Sequence, residues 1–127
     1  MMNDTAELRR LLADLRPTLN PGSFAFQSME SHAVPTEALA WFRESEGLSA
    51  IVSAGEQDVA DARYAWITLG VESSLGAVGL TAAVSTALAA EGIACNVVAA
   101  VRHDHLFVPF HRRDDAMAVL QRLQEEA

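Results

Sequence analysis

The segment from Trp66 to Pro109, WITLGVESSLGAVGLTAAVSTALAAEGIACNVVAAVRHDHLFVP, restricts the folds open to this chain more than any other part of it. In order, it reads as strand, serine- and glycine-rich turn, small-residue helix, Glu91-Gly92 stop, strand, short polar turn and strand. Ile67, Leu69 and Val71 alternate with Trp66, Thr68 and Gly70, the two-residue period of a strand. Ala77, Leu80, Val84, Ala87 and Leu88 recur at helical spacing, with Thr81, Ser85 and Thr86 mostly off that face. Such a unit delivers a helix N-terminus, with its unpaired amides, beside the end of a strand. That suits a small anion or a carboxylate, and it favours a ligand-binding module over a catalyst.

The flanking sequence supplies further elements. Leu8, Leu11, Leu12 and Leu15 form a helical stripe, with Asp4 as a cap and Glu7 as its reciprocal partner. Pro17 and Asn20-Pro21-Gly22 then stop the helix and turn the chain. Ser23–Met29 alternates as a short strand with Phe24 and Phe26 on one face. Thr36 is placed to cap a short helix over Glu37–Ser45, and Leu48–Ser53 reads as a second strand. Ala54–Arg63 reads as a connector with one helical turn. Ile93–Val101 is apolar on both faces apart from Asn96, as in a central strand. Asp114 and Asp115 open a last helix that turns Ala116, Met117, Leu120 and Leu123 to the core, acids suiting its positive end. Glu46-Gly47-Leu48 and the residues after it echo Glu91-Gly92-Ile93 and its followers, so a strand–helix–Glu-Gly–strand unit is expected twice.

At 127 residues, 50% of them hydrophobic, the chain has room for one domain or two small intertwined ones. The formal net charge of −8 opposes binding to nucleic acid or to an anionic membrane, both of which need clustered cations. Its one cysteine, Cys95, excludes an internal disulfide and a cysteine-built zinc site. Apolar neighbours mark it as a small core residue rather than a nucleophile. Asp4 and Glu7 precede any apolar run, and the run around Ala87–Ala90 is broken by Glu91 and Gly92. Neither a signal peptide nor a membrane span is expected, and the expected location is cytoplasmic.

Taken together, Ile67-Thr68-Leu69, Ser73-Ser74-Leu75, Ala77–Ala83, Gly92-Ile93, Asn96-Val97-Val98 and His103–Pro109 resemble the ACT-domain superfamily. The whole chain resembles the small bacterial tandem ACT-like proteins related to the CASTOR arginine sensors. Its first half matches through Leu19–Gly22, the Phe24-Phe26 strand and Arg43–Leu48. The resemblance implies an α+β, ferredoxin-like βαββαβ fold in two tandem, partly incomplete units, residues 1–61 and 62–127. It also implies an antiparallel sheet with helices on one face. Only Gln124–Ala127 follow the last helix stripe, too few for a final strand, and the first unit lacks a clear second helix. The missing pieces are to come from the other unit or from another subunit.

The resemblance further implies a regulatory module, not an enzyme, that binds a small molecule such as an amino acid. Ser73, Ser74, Leu75, Ala77, Val78, Gly79, Asn96 and Asp104 are the candidate ligand contacts. Ser73 or Ser74 can cap the helix, while free amides around Leu75–Ala77 receive a carboxylate. Gly76 and Gly79 permit close backbone approach, by a ligand or by a packed neighbour. Asn96 ties down the adjacent turn or contacts ligand. Asp104 either makes an Asx-turn or, as in the arginine sensors, receives a ligand's cation. His103, Asp104 and His105 invite a metal reading, with His32 and His111 as further ligands only if the fold converges them. No metal or cofactor is expected. A homodimer and a downstream protein partner are the macromolecular expectations. An adaptor that uses the fold only for assembly, and more weakly a metal-dependent enzyme, are the alternatives.

Overall fold

The computed structural model describes residues 2–55 and 62–127. Most of the connector expected over Ala54–Arg63 lies outside the described residues. In chain order the elements are α1 (Met2–Ala13), β1 (Pro17–Leu19), β2 (Phe24–Met29), β3 (Ala40–Glu44) and β4 (Gly47–Ser53). Then come β5 (Tyr64–Leu69), α2 (Leu80–Ala90), β6 (Asn96–Ala99), β7 (Asp104–Pro109) and α3 (Arg113–Glu125). A 3-10 turn at Phe110–Arg112 leads into α3.

All strands join one antiparallel sheet in the order β3-β4-β2-β5-β7-β6, and β1 also pairs with β5. β1 and β2 share one edge of β5. Pro17–Leu19 lies against Ile67–Leu69, and Phe24 against Tyr64. The backbone secures this arrangement: Gly70 N–H donates to Arg16 O at 3.0 Å, and Asn20 N–H donates to Trp66 O at 2.9 Å.

Two four-strand sets therefore repeat one order. With β1 as its fourth member, the second set runs β6-β7-β5-β1; with β5 as its fourth, the first runs β3-β4-β2-β5. β1 thus occupies the place of the strand missing after α3, and completion comes from within the chain. β5 serves both sets. The helices belong to the second set. Among the described residues none joins β2 to β3.

Four local expectations are corrected. The helix expected over Glu37–Ser45 is strand β3, whose Trp41 and Phe42 sit opposite Ala50 and Ser49 of β4. Pro17 begins β1 instead of ending a helix; at the first residue of a strand its missing N–H costs no ladder bond. β6 pairs only with β7 and so is an edge strand, shorter than the central Ile93–Val101 strand expected. α1 begins at Met2, so Asp4 lies within its first turn and not at its cap. The echo of Glu46-Gly47 and Glu91-Gly92 also covers two different turns. Glu46-Gly47 joins β3 to β4, whereas Glu91-Gly92 follows α2, with Ile93 N–H donating back to Leu88 O at 3.0 Å.

The two faces of the sheet bury different chemistry. On one face Ala65, Ile67, Leu69, Leu106 and Val108 pack against Leu11 and Leu12 of α1, Val84 and Leu88 of α2, and Ala116 and Leu120 of α3. Full burial of each such Leu, Ile or Val contributes about 1.5–3 kcal/mol. The opposite face is aromatic. Phe24, Ile51 and Phe107 form its centre, with Tyr64, Trp66, Ala40 and Val98 against them. The rings meet edge-on, Phe24–Trp66 at 5.6 Å and 88°, Phe26–Phe107 at 5.5 Å and 90°. Ala40 of β3 and Val98 of β6 belong to the two end strands, so the sheet curls toward itself across this face, which carries no helix among the described residues.

Candidate functional site

Between β5 and α2 the chain first makes a tight turn, Ala77 N–H donating to Ser74 O at 3.0 Å. α2 starts later than the serines suggest. Its first internal hydrogen bond runs from Ala83 N–H to Gly79 O at 2.9 Å. The free helix amides are therefore those that follow Gly79, not those around Leu75–Ala77. Gly79 occupies the N-cap at φ 100°, and a Cβ there would stand 3.1 Å from Leu8 Cδ2. Left-handed backbone and contact with α1 explain this glycine. Gly79→Val should lower stability by about 1–3 kcal/mol in a urea titration, whether or not ligand is present.

The turn, the start of α2 and the β6–β7 hairpin enclose a pocket of ≈ 60 Å³. Ser73, Ser74, Leu75 and Ala77 form one wall, Leu80 and Thr81 the next, and Ala99, Ala100 and Asp104 the third. Five of the expected contacts thus come together: Ser73, Ser74, Leu75, Ala77 and Asp104. Val78, Gly79 and Asn96 do not line it. Val78 is 68% exposed. Asn96 pairs with Phe107 on the aromatic face, donating from Nδ2 to Phe107 O at 3.4 Å. Leu80, Thr81, Ala99 and Ala100 were not anticipated. Thr81 alone carried a signal, as a polar residue off the apolar face of a helix beside its N-terminus.

Asp104 is half-buried, and its carboxylate makes no hydrogen bond or ion pair with the described residues. Desolvation raises its pKa from the ordinary aspartate value, against the pull of His105. The hairpin beside it closes through backbone, Ala100 N–H donating to His103 O at 3.1 Å, without an Asx bond from Asp104. The nearby guanidinium is engaged elsewhere. Arg102 donates to both carboxylate oxygens of Glu72, at 3.1 and 3.3 Å, and holds Glu72 below its usual pKa. Asp104 and His105, successive residues of β7, point to opposite faces of the sheet. They cannot grip one ion together, and no cluster of three His, Cys, Asp or Glu fit to hold a metal occurs among the described residues. Burial raises the Cys95 thiol to about 11, which suits a core position.

His105 belongs to a different site. Trp66 Nε1–H donates to its Nδ1 at 3.0 Å, Thr68 Oγ1 lies 3.2 Å from the same nitrogen, and Asn20 Nδ2 donates to Thr68 Oγ1 at 2.8 Å. An indole N–H can only donate, so Nδ1 accepts and the neutral ring carries its proton on Nε2. Burial, followed by the charge of His103, lowers the pKa of His105 and favours that neutral form. Beside it is a cavity of ≈ 180 Å³ walled by Leu39, Trp66, Val98 and Phe107. A second, of ≈ 200 Å³, adjoins it through Ala40 and Val98 and is walled by Phe26, Trp41, Phe42 and Ile51. The sequence alone places these residues on strands, in a turn and, for Leu39–Phe42, in a helix, with no sign that they converge.

Among the described residues no helix is long and apolar enough to cross a membrane. A family model described as an ACT domain matches residues 5–68, and a second ACT-domain model matches residues 61–122. Their overlap falls on β5, the strand common to both four-strand sets. The chain is similar to a crystallised protein of unknown function from Vibrio cholerae, described as a possible transport protein. Identity is 35%, with 92% of this chain and 95% of that one covered at a TM-score of 0.75. A crystallised protein from Agrobacterium tumefaciens shares the fold at 21% identity and a TM-score of 0.65, with 85% and 87% covered. No curated protein matches.

Proposed function

The chain belongs to the ACT-domain family, and from that premise we propose that it is a non-catalytic regulatory module that binds an amino acid between the Ser73–Ala77 turn and Asp104. ACT domains are typically small-molecule-binding regulatory modules. The observation that carries the finer reading is the unpartnered, desolvated carboxylate of Asp104 in the same pocket as the first residues of α2. Partial desolvation without a partner disfavours the ionised carboxylate, and a ligand cation would offset that cost. Helix amides and the hydroxyls of Ser73, Ser74 and Thr81 would meet the carboxylate of the same ligand. At ≈ 60 Å³ the pocket has about the volume of two waters, so it fits one polar end of an amino acid while the rest projects outward.

A thermal-shift screen of the common amino acids tests this reading. Ligand at one hundred times its Kd should stabilise the protein by about 2.7 kcal/mol, or on the order of 10 °C. If no amino acid moves the transition at millimolar concentration, amino-acid binding is rejected. Assembly is the second reading. Edge strand β3 carries Phe42 at 73% exposure and Trp41 at 49%, an edge of the kind proteins usually cover. Sedimentation as a compact monomer at micromolar concentration would remove it. A sensing module also needs a protein that reads its state, and this partner is part of the proposal.

A further inference from the structure

The cavities on the aromatic face open a second line of chemistry, independent of the pocket at Asp104. Three observations bear on what they hold. They adjoin, sharing Ala40 and Val98, at ≈ 200 and ≈ 180 Å³. Filled together they reach the range of small-molecule sites, about 300–1,000 Å³. No Asp, Glu, Lys or Arg lines either one among the described residues. And the smaller of the two is also lined by a group with a proton to give, His105. His105 Nδ1 is occupied by Trp66, while Nε2–H has no partner among the described residues.

We propose that this face binds an uncharged, elongated aromatic molecule whose carbonyl oxygen accepts a hydrogen bond from His105 Nε2–H. Charged ligands are disfavoured because the walls offer nothing to replace their lost hydration. Planar rings are favoured because the walls are already aromatic: Phe26 packs edge-on against Phe107 and Trp66 against Phe24, and Phe26 and Trp66 are themselves only partly covered. A second copy of the chain is the rival occupant, but hollows of ≈ 200 and ≈ 180 Å³ suit a small molecule better than the flat face of a protein.

Prodan, a neutral naphthalene bearing one ketone, is a suitable probe because its emission shifts to the blue out of water. Titrated with the whole chain, it should saturate at one probe per chain with blue-shifted emission. The parent protein should bind 2-(dimethylamino)naphthalene, which lacks the ketone, about tenfold more weakly. His105→Phe should lose that preference, whereas His105→Gln, which still has an acceptor for Trp66 and a donor for the ketone, should keep it. Ala40→Leu, filling the junction of the two cavities, should weaken prodan about tenfold or more, with an unchanged melting curve showing that the fold is intact. Asp104→Asn should leave prodan binding unchanged, so failure here and failure of the amino-acid reading are separable. Non-saturable uptake, equal affinity for the two naphthalenes, or one probe per two chains with dimer formation would each overturn the proposal. The last result would make this face an interface between copies.

Discussion

Gly47→Ala should cost about 3–5 kcal/mol of folding stability, combining strain at a backbone angle unsuited to a side chain with overpacking. Gly47 sits at φ 142°, and a Cβ there would stand 2.0 Å from Met29 O and 3.1 Å from Glu30 Cα. These are backbone atoms, so no side chain can swing away to make room. Relief would require β2 and β4 to part where Leu48 pairs with Met29, uncovering Leu48, which is 1% exposed. Against the roughly 5–15 kcal/mol that holds a domain together, this is a large fraction. Gly76→Ala is the control, since its nearest neighbour would be Ser74 Oγ at 3.9 Å, and it should stay within about 0.5 kcal/mol of the parent. Urea midpoints at unchanged slope measure both. Equal midpoints for the two variants would refute the account. Ser49 and Ile51 follow on β4, so the damage should also reach prodan binding.

The contrast between β5 and β3 shows what this sequence discloses. β5 has one face under the helices and one against aromatic rings, so Ala65, Ile67 and Leu69 alternate with Tyr64, Trp66 and Thr68 in a readable period. β3 is an edge strand, mostly exposed, and its burial imposes no such period. Thr36 and Glu37 imitate a helix start, but the segment becomes a strand because β4 offers it a ladder, a non-local gain that propensity does not register. Pro17–Leu19 is hidden for the same reason. Its partner strand is Ile67–Leu69, far along the chain.

The candidate sites divide similarly. The turn from Ser73 to Ala77 and the acid at Asp104 were legible because a polar turn ahead of a helix and an acid between two strands are local patterns. The start of α2 is not legible, since either serine could cap a helix while the geometry delays it to Gly79. The cavities by His105 left no trace in the linear pattern. Ala40 and Val98 meet only because the sheet curls, and the protonation of His105 depends on an indole N–H from the neighbouring strand.

Asp104→Asn should act in opposite directions on stability and on binding, which makes it the most informative single change. The carboxylate is partly desolvated and unpartnered, so its folded-state pKa lies above its unfolded value. A group raised in this way contributes stability that is fully present below the unfolded pKa and is lost as pH rises through the folded one. At neutral pH the ionised form is therefore a burden on the ligand-free protein. Asparagine keeps the shape without the charge, so the variant should melt at or above the parent temperature at pH 7. Its advantage should shrink as the pH is lowered through the carboxylate range. Binding should change the other way. Loss of a charge-assisted hydrogen bond to the ligand's cation costs about 1.5–3 kcal/mol, roughly tenfold to over a hundredfold in Kd. The measurement pairs melting curves at several pH values with titration of whichever amino acid stabilises the parent. Tight binding retained together with lower stability would show that Asp104 serves the hairpin, and the pocket would lose its cation partner.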